Sequence, residues 1–430
     1  MSLIKTAGRL LTIAILITAC AELHAQTTRI NSPYSLFGIG NLNNNNVNAR
    51  SMAMGGIQFG YRSSGMINVG NPASYTGIDT LSFIFEGAMI GNMVTIKSIE
   101  NSESSNSATL GYLSFGFPIT RWWKSSFGLM PYSNVGYSVA ENRTVDQFGR
   151  VRYTSDGSGG FNQVYWGNAI QLTKNLSVGV NAAYVFGSID HGISVTFPDS
   201  SYYFSTRTDK SITASDFVFN YGLQYTFFFK NNLDLTFGTA FGNTANLSTE
   251  RDYLARSFFG EANDIRFYKD TISHYKGEKG DIVLPRHIGG GFVIKKKDKW
   301  LIGGDVSWQN WEEYSSYGST DSLSNRMSFA LGGQFTPDKF SIFSYLERVT
   351  YRFGIRYTNS YLDIRGNQLN EFGISFGLGL PVWKSKSTFN IGCEIGRWGT
   401  TADELIQENF VKFTLGISIY ENWFIKPKYH

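Results

Sequence analysis

The sequence predicts an all-β protein: a transmembrane antiparallel β-barrel of about fourteen strands with an N-terminal hatch, or plug, segment. Three observations lead to this fold class. Apolar and small polar residues alternate along most of the chain from residue 79 onward, which is typical of strands with two different faces. Aromatic residues make up 16% of the 430 residues and are concentrated on the apolar face. Charged residues make up only 17%, which is few for a protein whose whole surface is in water.

The first 25 residues predict a secretory signal peptide. A basic start precedes the apolar run 10–19, which is too short to cross a bilayer as a helix, and Ala25 provides a small residue at the cleavage point. The alternative is a lipoprotein signal in which Cys20 is lipidated. We favour cleavage after Ala25, because a barrel that already spans the membrane gains little from a lipid anchor. Cleavage leaves Cys393 as the single cysteine, so no intramolecular disulfide is expected.

The exported chain divides into a hatch over residues 26–78, a barrel over residues 79–425 and a tail over residues 426–430. The hatch region shows little periodicity, whereas the barrel region alternates throughout. The predicted strands cover residues 79–97, 108–118, 122–140, 160–173, 175–189, 213–229, 232–245, 286–296, 299–314, 325–336, 348–360, 369–382, 387–398 and 408–420.

The links between the predicted strands are short and long in turn. Short turns are expected at residues 120–121, 174–175, 230–231, 297–298 and 384–385, and long loops at residues 141–159, 190–212, 246–285, 315–324 and 399–407. Outer-membrane barrels place their short turns in the periplasm and their long loops outside the cell. We therefore predict an outer-membrane protein of a Gram-negative cell with both termini in the periplasm. The connection 337–347 is longer than this pattern explains.

The strands of a soluble β-sandwich would also alternate between apolar and polar residues, but their outer face would be rich in Lys and Glu. Here the face opposite the aromatic one carries mainly Gly, Ser, Asn and Thr, as residues 213–229 illustrate. This small polar face suits the lumen of a barrel. Closure is also required, because an open sheet edge in lipid leaves backbone groups unpaired at a cost of several kcal/mol each.

Residues 49–56 (ARSMAMGG) form a stretch rich in small residues and Gly, and Asn71-Pro72-Ala73 follows it. Together they resemble the N-terminal hatch of the FadL-like long-chain fatty-acid transporters of the outer membrane. Residues 284–285 and 300–311 are similar to a second family stretch that spans two adjacent strands. The N-terminal residues 31–40 are typical of a divergent, uncharacterised branch.

The sequence departs from the family at two places. Ser74 stands where many members have Gly, which leaves the detailed conformation of the hatch open. Residues 428–430 replace a terminal Phe that serves as an assembly signal. We expect insertion to depend instead on the strand that ends near Trp423 and Phe424.

The resemblance implies passive uptake of hydrophobic, fatty-acid-like small molecules. Ligand would be captured between outer loops, held in the lumen and released sideways through a gap in the wall beside the hatch. The partners implied are outer-membrane lipid and lipopolysaccharide, the hydrophobic ligand, and the barrel assembly machinery during biogenesis. Two alternatives stay open: a barrel component or cargo shuttle of type IX protein secretion, and a structural outer-membrane protein.

The hatch provides the first candidate site residues, Asn71, Pro72 and Ala73. An ordinary turn is an equally good interpretation, because Asn-Pro is a turn dipeptide. Met52 and Met54 are candidates to adapt around a ligand, although plain packing is the favoured role for each.

Two arginines on one predicted strand, Arg352 and Arg356, alternate with aromatic residues and are expected to point into the lumen. An inward arginine can bind a fatty-acid carboxylate through two hydrogen bonds. The favoured alternative is pairing with inward acids, for which the candidates are Asp305, Glu371 and Glu394.

Three further candidates lie outside the hatch and this arginine strand. Phe258 and Phe259, in the predicted loop 246–285, are candidates for a capture surface, with packing inside the loop as the alternative. Pro131 interrupts the strand 122–140, where it marks either a wall gap or a simple bend.

No catalytic residue, metal site or cofactor is expected. The five histidines have no metal-ligand spacing, and the chain contains no nucleophile motif, phosphate loop or pair of acids with hydrolase spacing. The net charge of +4 is too small to indicate binding to nucleic acid.

Overall fold

The computed structural model describes residues 32–42, 48–200, 202–259, 267–321, 323–383 and 385–422, which form a closed antiparallel barrel of fourteen strands. The strands are β1 Ser82–Lys97, β2 Ser102–Pro118, β3 Trp123–Pro131 with Ser133–Val145, β4 Gly149–Gln171, β5 Leu176–Thr196, β6 Ser205–Phe229, β7 Leu233–Gly242 with Ala245–Phe259, β8 Phe267–Leu284 with His287–Lys296, β9 Trp300–Gln309, β10 Arg326–Phe335, β11 Thr350–Ile364, β12 Asn367–Pro381, β13 Thr388–Gly399 and β14 Gln407–Asn422. Short helices cover Pro33–Leu36, Ala49–Met52, Pro72–Gly77, Lys230–Asn232, Trp311–Glu313, Tyr345–Arg348 and Ala402–Glu404.

The wall closes where the last strand pairs with the first. β14 runs antiparallel to β1 from the pair Gln407 and Lys97 to the pair Asn422 and Ser82. The predicted all-β fold and the strand number are therefore confirmed. The predicted signal peptide with Cys20, the assembly signal at residues 423–424 and the tail 426–430 lie outside the described residues, so those predictions remain predictions.

Side chains alternate between the outside and the inside of the wall, as β11 shows. Tyr351, Phe353 and Ile355 are 37–50% exposed on the outer face, whereas Arg352 and Arg356 are each only 7% exposed. In a membrane the outer face contacts hydrocarbon, which selects an apolar residue at every second position. The small inner residues leave room for the rest of the chain.

The two ends of the barrel differ, and we call them the short-turn end and the long-loop end. The predicted turns at 120–121, 174–175, 230–231 and 297–298 all lie between strands at the short-turn end. The connection 337–347 also lies at that end and leads into the helix Tyr345–Arg348. Among the described residues, no helix is long and apolar enough to cross a membrane.

Three of the predicted loops are wrong, because the strands continue through them. Most of the regions 141–159, 190–212 and 246–285 form paired extensions of β3 to β8, and β6 alone is 25 residues long. At roughly 3.3 Å per residue, such a strand is far longer than the ~25 Å apolar band of an outer-membrane barrel. The outer face of the extensions is mainly polar, and their inner face mixes polar residues with buried apolar ones such as Ile212, Leu247 and Ile282, so they lack the regular apolar alternation from which strands were predicted. The regions 315–324 and 399–407 are mainly non-strand, as expected.

The N-terminal segment, defined here as residues 32–42 and 48–81, lies inside the barrel. Its middle part packs against lumen-facing glycines, where a side chain would leave no room. A Cβ built on Gly354 would stand 2.1 Å from the backbone nitrogen of Gly55, and one on Gly222 would stand 2.1 Å from Oδ1 of Asn71. Glycine on the inner face therefore lets two backbones approach closely.

An apolar cluster fills the lumen toward the long-loop end. Tyr34 and Ile39 of the N-terminal segment join Trp311, Tyr361 and Leu405 of the wall and loops in this cluster, and all five are at most 6% exposed. The rings of Trp311 and Tyr361 stack at 4.3 Å. The N-terminal segment thus contacts the wall at two levels, with a space between them.

Candidate functional site: the lumenal cavities and the wall gap

The wall is interrupted on one side, between β2 and β3. These strands pair only between residues 113–118 and residues 124–129, close to the short-turn end. Residues 102–112 of β2 pair with β1 on their other side, and within the described part of the chain they have no partner on β3. The break in β3 falls at Tyr132, directly after Pro131, which cannot donate a backbone hydrogen bond to a sheet.

The N-terminal segment takes part of the place that β2 leaves free. Its two-residue strand Asn41–Leu42 pairs antiparallel with Asn134 and Ser133 of β3. Ser32 adds a backbone hydrogen bond of 2.9 Å to the carbonyl oxygen of Gly136. The part of β3 that follows Tyr132, toward the long-loop end, is therefore held on this side by the N-terminal segment inside the barrel rather than by β2.

A cavity of about 180 Å³ lies between the two levels of packing and is bounded partly by the edges of the gap. Thr109 of β2 and Pro131 and Asn134 of β3 line it on that side. Three buried polar atoms of lining residues have no hydrogen-bond partner among the described residues: Oδ1 of Asn41, Oδ1 of Asn92 and Nε1 of Trp398. Unpaired polar atoms of this kind need water or a polar ligand group.

A second cavity, of about 140 Å³, lies on the other side of Leu42 and Arg326, which line both. Its lining includes more apolar side chains, among them Phe59, Val218 and Trp311. Together the volumes of the two cavities just exceed the lower limit of about 300 Å³ for small-molecule sites. The two cavities differ in charge: Glu371, Glu408 and Lys412 are among the lining residues of the first, whereas Arg326 is the one Lys, Arg, Asp or Glu side chain in the described lining of the second.

Arg326 is the arginine that faces both cavities, and the sequence analysis missed it. The residue is 5% exposed, and no carboxylate of the described chain lies within ion-pair distance of it. It stands at the first position of β10, beside a loop, so the alternation that singled out Arg352 and Arg356 gave no signal there. The signal in the sequence was an arginine at the start of a strand that has no other charged residue.

Arg356 points inward as predicted, but its charge is already paired. Its Nη2 lies 2.9 Å from Glu371 and 2.6 Å from Glu394, and Lys412 approaches Glu371 at 3.8 Å. The pairing alternative therefore describes Arg356. The third acid considered, Asp305, instead accepts hydrogen bonds from the backbone of Gln58 and Phe59 and so fastens the N-terminal segment to β9.

Arg352 also points inward, at a level nearer the short-turn end. Its Nη1 donates a hydrogen bond of 3.1 Å to Asn390, and its Nε one of 3.4 Å to Gln334. It lines neither lumenal cavity. The structure therefore does not bring Arg352 together with Arg356 in one ligand site.

Asn71, Pro72 and Ala73 are fully or nearly fully buried against β5, β6 and β7. Nδ2 of Asn71 donates to the carbonyl oxygens of Phe59 at 2.8 Å and of Leu223 and Thr239 at 3.3 Å, and its Oδ1 accepts from the backbone of Ala73. Asn71 thus acts as a helix cap and as a link to the wall. Neither of these contacts leaves it facing a cavity.

The remaining candidates are distributed over the molecule. Met52 lines the first cavity, whereas Met54 is fully buried among Ile57 and other apolar residues. Phe258 is fully buried in the extension of β7, which agrees with the packing alternative. Phe259 is 51% exposed, with its ring 4.6 Å from that of Phe204.

Comparison with known proteins agrees with this architecture. The sequence model of the BamG family matches residues 4–430. No curated protein matches the sequence. Among solved structures, the chain is similar to the toluene transporter TodX of Pseudomonas putida (15% identity, TM-score 0.57, covering 90% of this chain and 100% of that one). It is also similar to the toluene transporter TbuX of Ralstonia pickettii (13% identity, TM-score 0.55, covering 87% of this chain and 98% of that one). A FadL homologue of Pseudomonas aeruginosa is similar as well (11% identity, TM-score 0.53, covering 88% of this chain and 98% of that one). The predicted FadL-like fold is therefore confirmed.

Proposed function

The chain belongs to the BamG family and has the fold of FadL-type barrels, and from its geometry we propose that it is an outer-membrane channel for fatty-acid-like molecules. The observation that carries the proposal is the wall gap between β2 and β3, which borders a lumenal cavity. In this proposal the short-turn end faces the periplasm and the N-terminal segment acts as the hatch.

The lining of the cavities supports a ligand with a polar head and an apolar body. Arg326 and the unpaired Nε1–H donor of Trp398 suit a carboxylate head, and the acceptor oxygens of Asn41 and Asn92 suit a water or hydroxyl donor beside it. The side chains of Phe59 and Val218 in the second cavity suit a hydrocarbon chain. A pure hydrocarbon would leave the polar atoms of the first cavity without partners, so it fits less well.

The gap provides the exit. A greasy molecule that leaves sideways enters lipid directly and never has to dissolve in water. Thr109 of β2 faces the cavity, whereas its neighbour Leu110 is 40% exposed on the outer face. These adjacent residues form a matched pair for a test of the route.

The test measures uptake of radiolabelled oleate by Gram-negative cells that lack their own fatty-acid channel and produce this protein. We expect Thr109→Trp to fill the route and slow uptake several-fold, while Leu110→Trp, which projects into lipid, leaves the rate unchanged. Arg326→Gln is expected to weaken oleate binding about tenfold or more, as loss of a hydrogen bond to a charged group does. Equal rates in the two tryptophan variants, or no uptake by the unmodified protein, would contradict the proposal.

A second candidate function is participation in the barrel assembly machinery, which the name of the BamG family indicates. The match extends over residues 4–430, so the whole chain takes part in the resemblance. Depletion of the protein would then lower the amounts of other folded outer-membrane barrels, measured by their heat-modifiable migration on gels, without a change in oleate uptake. A role in type IX secretion stays a prediction that none of these comparisons tests.

A further inference from the structure

The short-turn end of the barrel opens into a wide vestibule of about 1560 Å³. Its floor is the N-terminal segment around residues 61–65 and 76–80, and its rim is formed by the short turns. Among the described residues, twelve basic side chains line it but only four acidic ones, an excess of eight positive charges in one concave surface. The whole chain carries a net charge of only +4, so the positive charge is concentrated at this end.

Three of the four acids are already neutralised by neighbours within the vestibule. Lys386 lies 2.6 Å from Asp79, Lys295 lies 3.6 Å from Asp234, and Lys339 lies 2.5 Å from Asp298. Burial alone would raise the pKa of Asp79, but hydrogen bonds from Lys386 and Tyr420 outweigh it and hold that pKa below its usual range. Within the described part of the chain, most of the other cations in the vestibule therefore have no carboxylate within ion-pair distance.

Lys124 is the clearest example of a cation in the vestibule without an anionic partner among the described residues. It is the second residue of β3, it is 2% exposed, and its Nζ has no hydrogen-bond partner among the described residues. Arg62 donates to the hydroxyl of Thr76, and Arg50 to that of Thr388, but neither forms an ion pair with a described residue. An ammonium group buried without a partner is costly, and a bound anion would remove that cost.

One side of the rim is apolar. The connection 337–347, which the pattern of short turns did not explain, exposes Phe340, Ile342 and Phe343 to 72%, 74% and 95% of their maximal area. The connection itself is held in place, because Asp338 donates a backbone hydrogen bond to Glu347 and the hydroxyl of Tyr345 donates to the carbonyl of Pro381. Large apolar side chains fixed in this way mark an interaction site.

We propose that the vestibule binds an acidic polypeptide segment of a periplasmic partner, with its carboxylates on the cations of the floor and the wall, Lys124 among them, and its apolar side chains on the 337–347 rim. The space is larger than the ~300–1,000 Å³ of ordinary small-molecule sites. It opens along the barrel axis, away from the lipid. Residues 423–430 of the chain contain two lysines and no Asp or Glu, so their side-chain charge does not match the vestibule.

This inference rests on the proposed orientation of the barrel, but not on transport. The experiment uses the full mature protein in lipid nanodiscs and a fluorescein-labelled peptide of alternating Glu and Phe, followed by fluorescence anisotropy. A second peptide with Gln in place of Glu controls for apolar binding, and an all-Glu peptide controls for charge. Heat-modifiable migration on gels shows whether each variant is folded.

We expect Lys124→Met to weaken binding of the Glu-Phe peptide about tenfold or more, since a hydrogen bond between charged groups is lost. Lys276→Met removes an equal charge from an exposed position on the extension of β8 and is expected to leave binding within about twofold, since exposed charges contribute little. Phe343→Ser, on an exposed turn, is expected to weaken binding of the Glu-Phe peptide but not of the all-Glu peptide.

The proposal is overturned if Lys276→Met weakens binding as much as Lys124→Met, because the attraction would then be diffuse. It is also overturned if the Gln-Phe peptide binds as well as the Glu-Phe peptide, or if Phe343→Ser has no effect. Normal oleate uptake without binding of the Glu-Phe peptide would overturn the docking site and leave the channel function intact. Peptide binding without oleate uptake would overturn the channel function and leave the docking site intact.

Discussion

The three lumenal arginines show that the partners of a residue, more than its type, decide what it can do. Arg356 has two carboxylates within 3 Å, Arg352 has two amide oxygens, and Arg326 faces two cavities. The first is committed to the wall, and only the last is free to meet a ligand. Sequence alternation places arginines on the inner face, but it does not show which acids stand opposite them on other strands.

The buried ion-pair cluster of Arg356 with Glu371 and Glu394 should be important for the stability of the barrel. Replacing Arg356 with Met leaves Glu371 and Glu394 buried with their main partner gone, so we expect the free energy of unfolding to fall by about 3–5 kcal/mol. The triple variant Arg356→Met, Glu371→Gln, Glu394→Gln removes the unpaired charges and should recover most of the loss. Both are measured by urea unfolding in lipid vesicles, followed by tryptophan fluorescence.

The exposed pair of Arg143 and Glu141 provides the control for this prediction. Arg143→Met removes a similar ion pair in water and should leave the unfolding curve unchanged. If Arg356→Met were no more harmful than Arg143→Met, the buried cluster would contribute nothing to the wall.

At the scale of elements, the N-terminal segment and the wall fit together through glycine. Gly354 of β11 meets the backbone of Met54 and Gly55, and Gly222 of β6 meets Asn71. Because backbone atoms rather than flexible side chain ends lie opposite Gly354, the contact has little freedom to adjust. The position of the segment in the lumen therefore depends on the absence of a side chain on the inner face.

A single methyl group tests this dependence. In Gly354→Ala the new Cβ would stand 2.1 Å from the backbone of Gly55, so the N-terminal segment must shift, at a cost of about 1–3 kcal/mol. We expect a higher single-channel conductance in planar bilayers and faster proteolysis within residues 48–81. Gly304→Ala is the control, because its Cβ points outward, 3.3 Å or more from its neighbours. Equal conductance in the two variants would show that the segment does not obstruct the lumen.

The sequence predicted the strands within the membrane and failed beyond it, for one physical reason. Lipid selects apolar residues at alternate positions, so strands such as Thr350–Ile364 were visible. Outside the apolar band the outer strand face meets water and the inner face mixes polar residues with buried apolar ones such as Ile212 and Leu247, so the pairing of residues 205–212 with β5 and β7 left no regular pattern. Pro131 indicated a disturbance in β3. The lost pairing of residues 102–112 was not readable, because it depends on which neighbour lies across the gap.

At the scale of the whole molecule, the wall and its contents are held by different interactions. Strand-to-strand hydrogen bonds close the wall from β1 round to β14. The exception is the part of β3 after Tyr132, where the N-terminal segment pairs with β3 in place of β2. The segment in turn depends on the wall, through the bonds of Asn71 and Asp305 and the glycine contacts. The barrel should therefore fold without the segment, but the segment should not keep its structure without the barrel.

Deletion of residues 32–78, with the leader and its cleavage point retained, tests this hierarchy. We expect the shortened protein to insert and to migrate as a heat-modifiable barrel, because the pairing of Gln407–Asn422 with Ser82–Lys97 is untouched. Its conductance should exceed that of Gly354→Ala, since the lumen then holds only water between glycine-rich walls. The edge of β3 at Ser133 and Asn134 would lose its inner partner, so hydrogen exchange should rise first there. A shortened chain that never becomes heat-modifiable would mean that the segment is needed to close the wall, and that the gap beside β3 cannot be bridged without it.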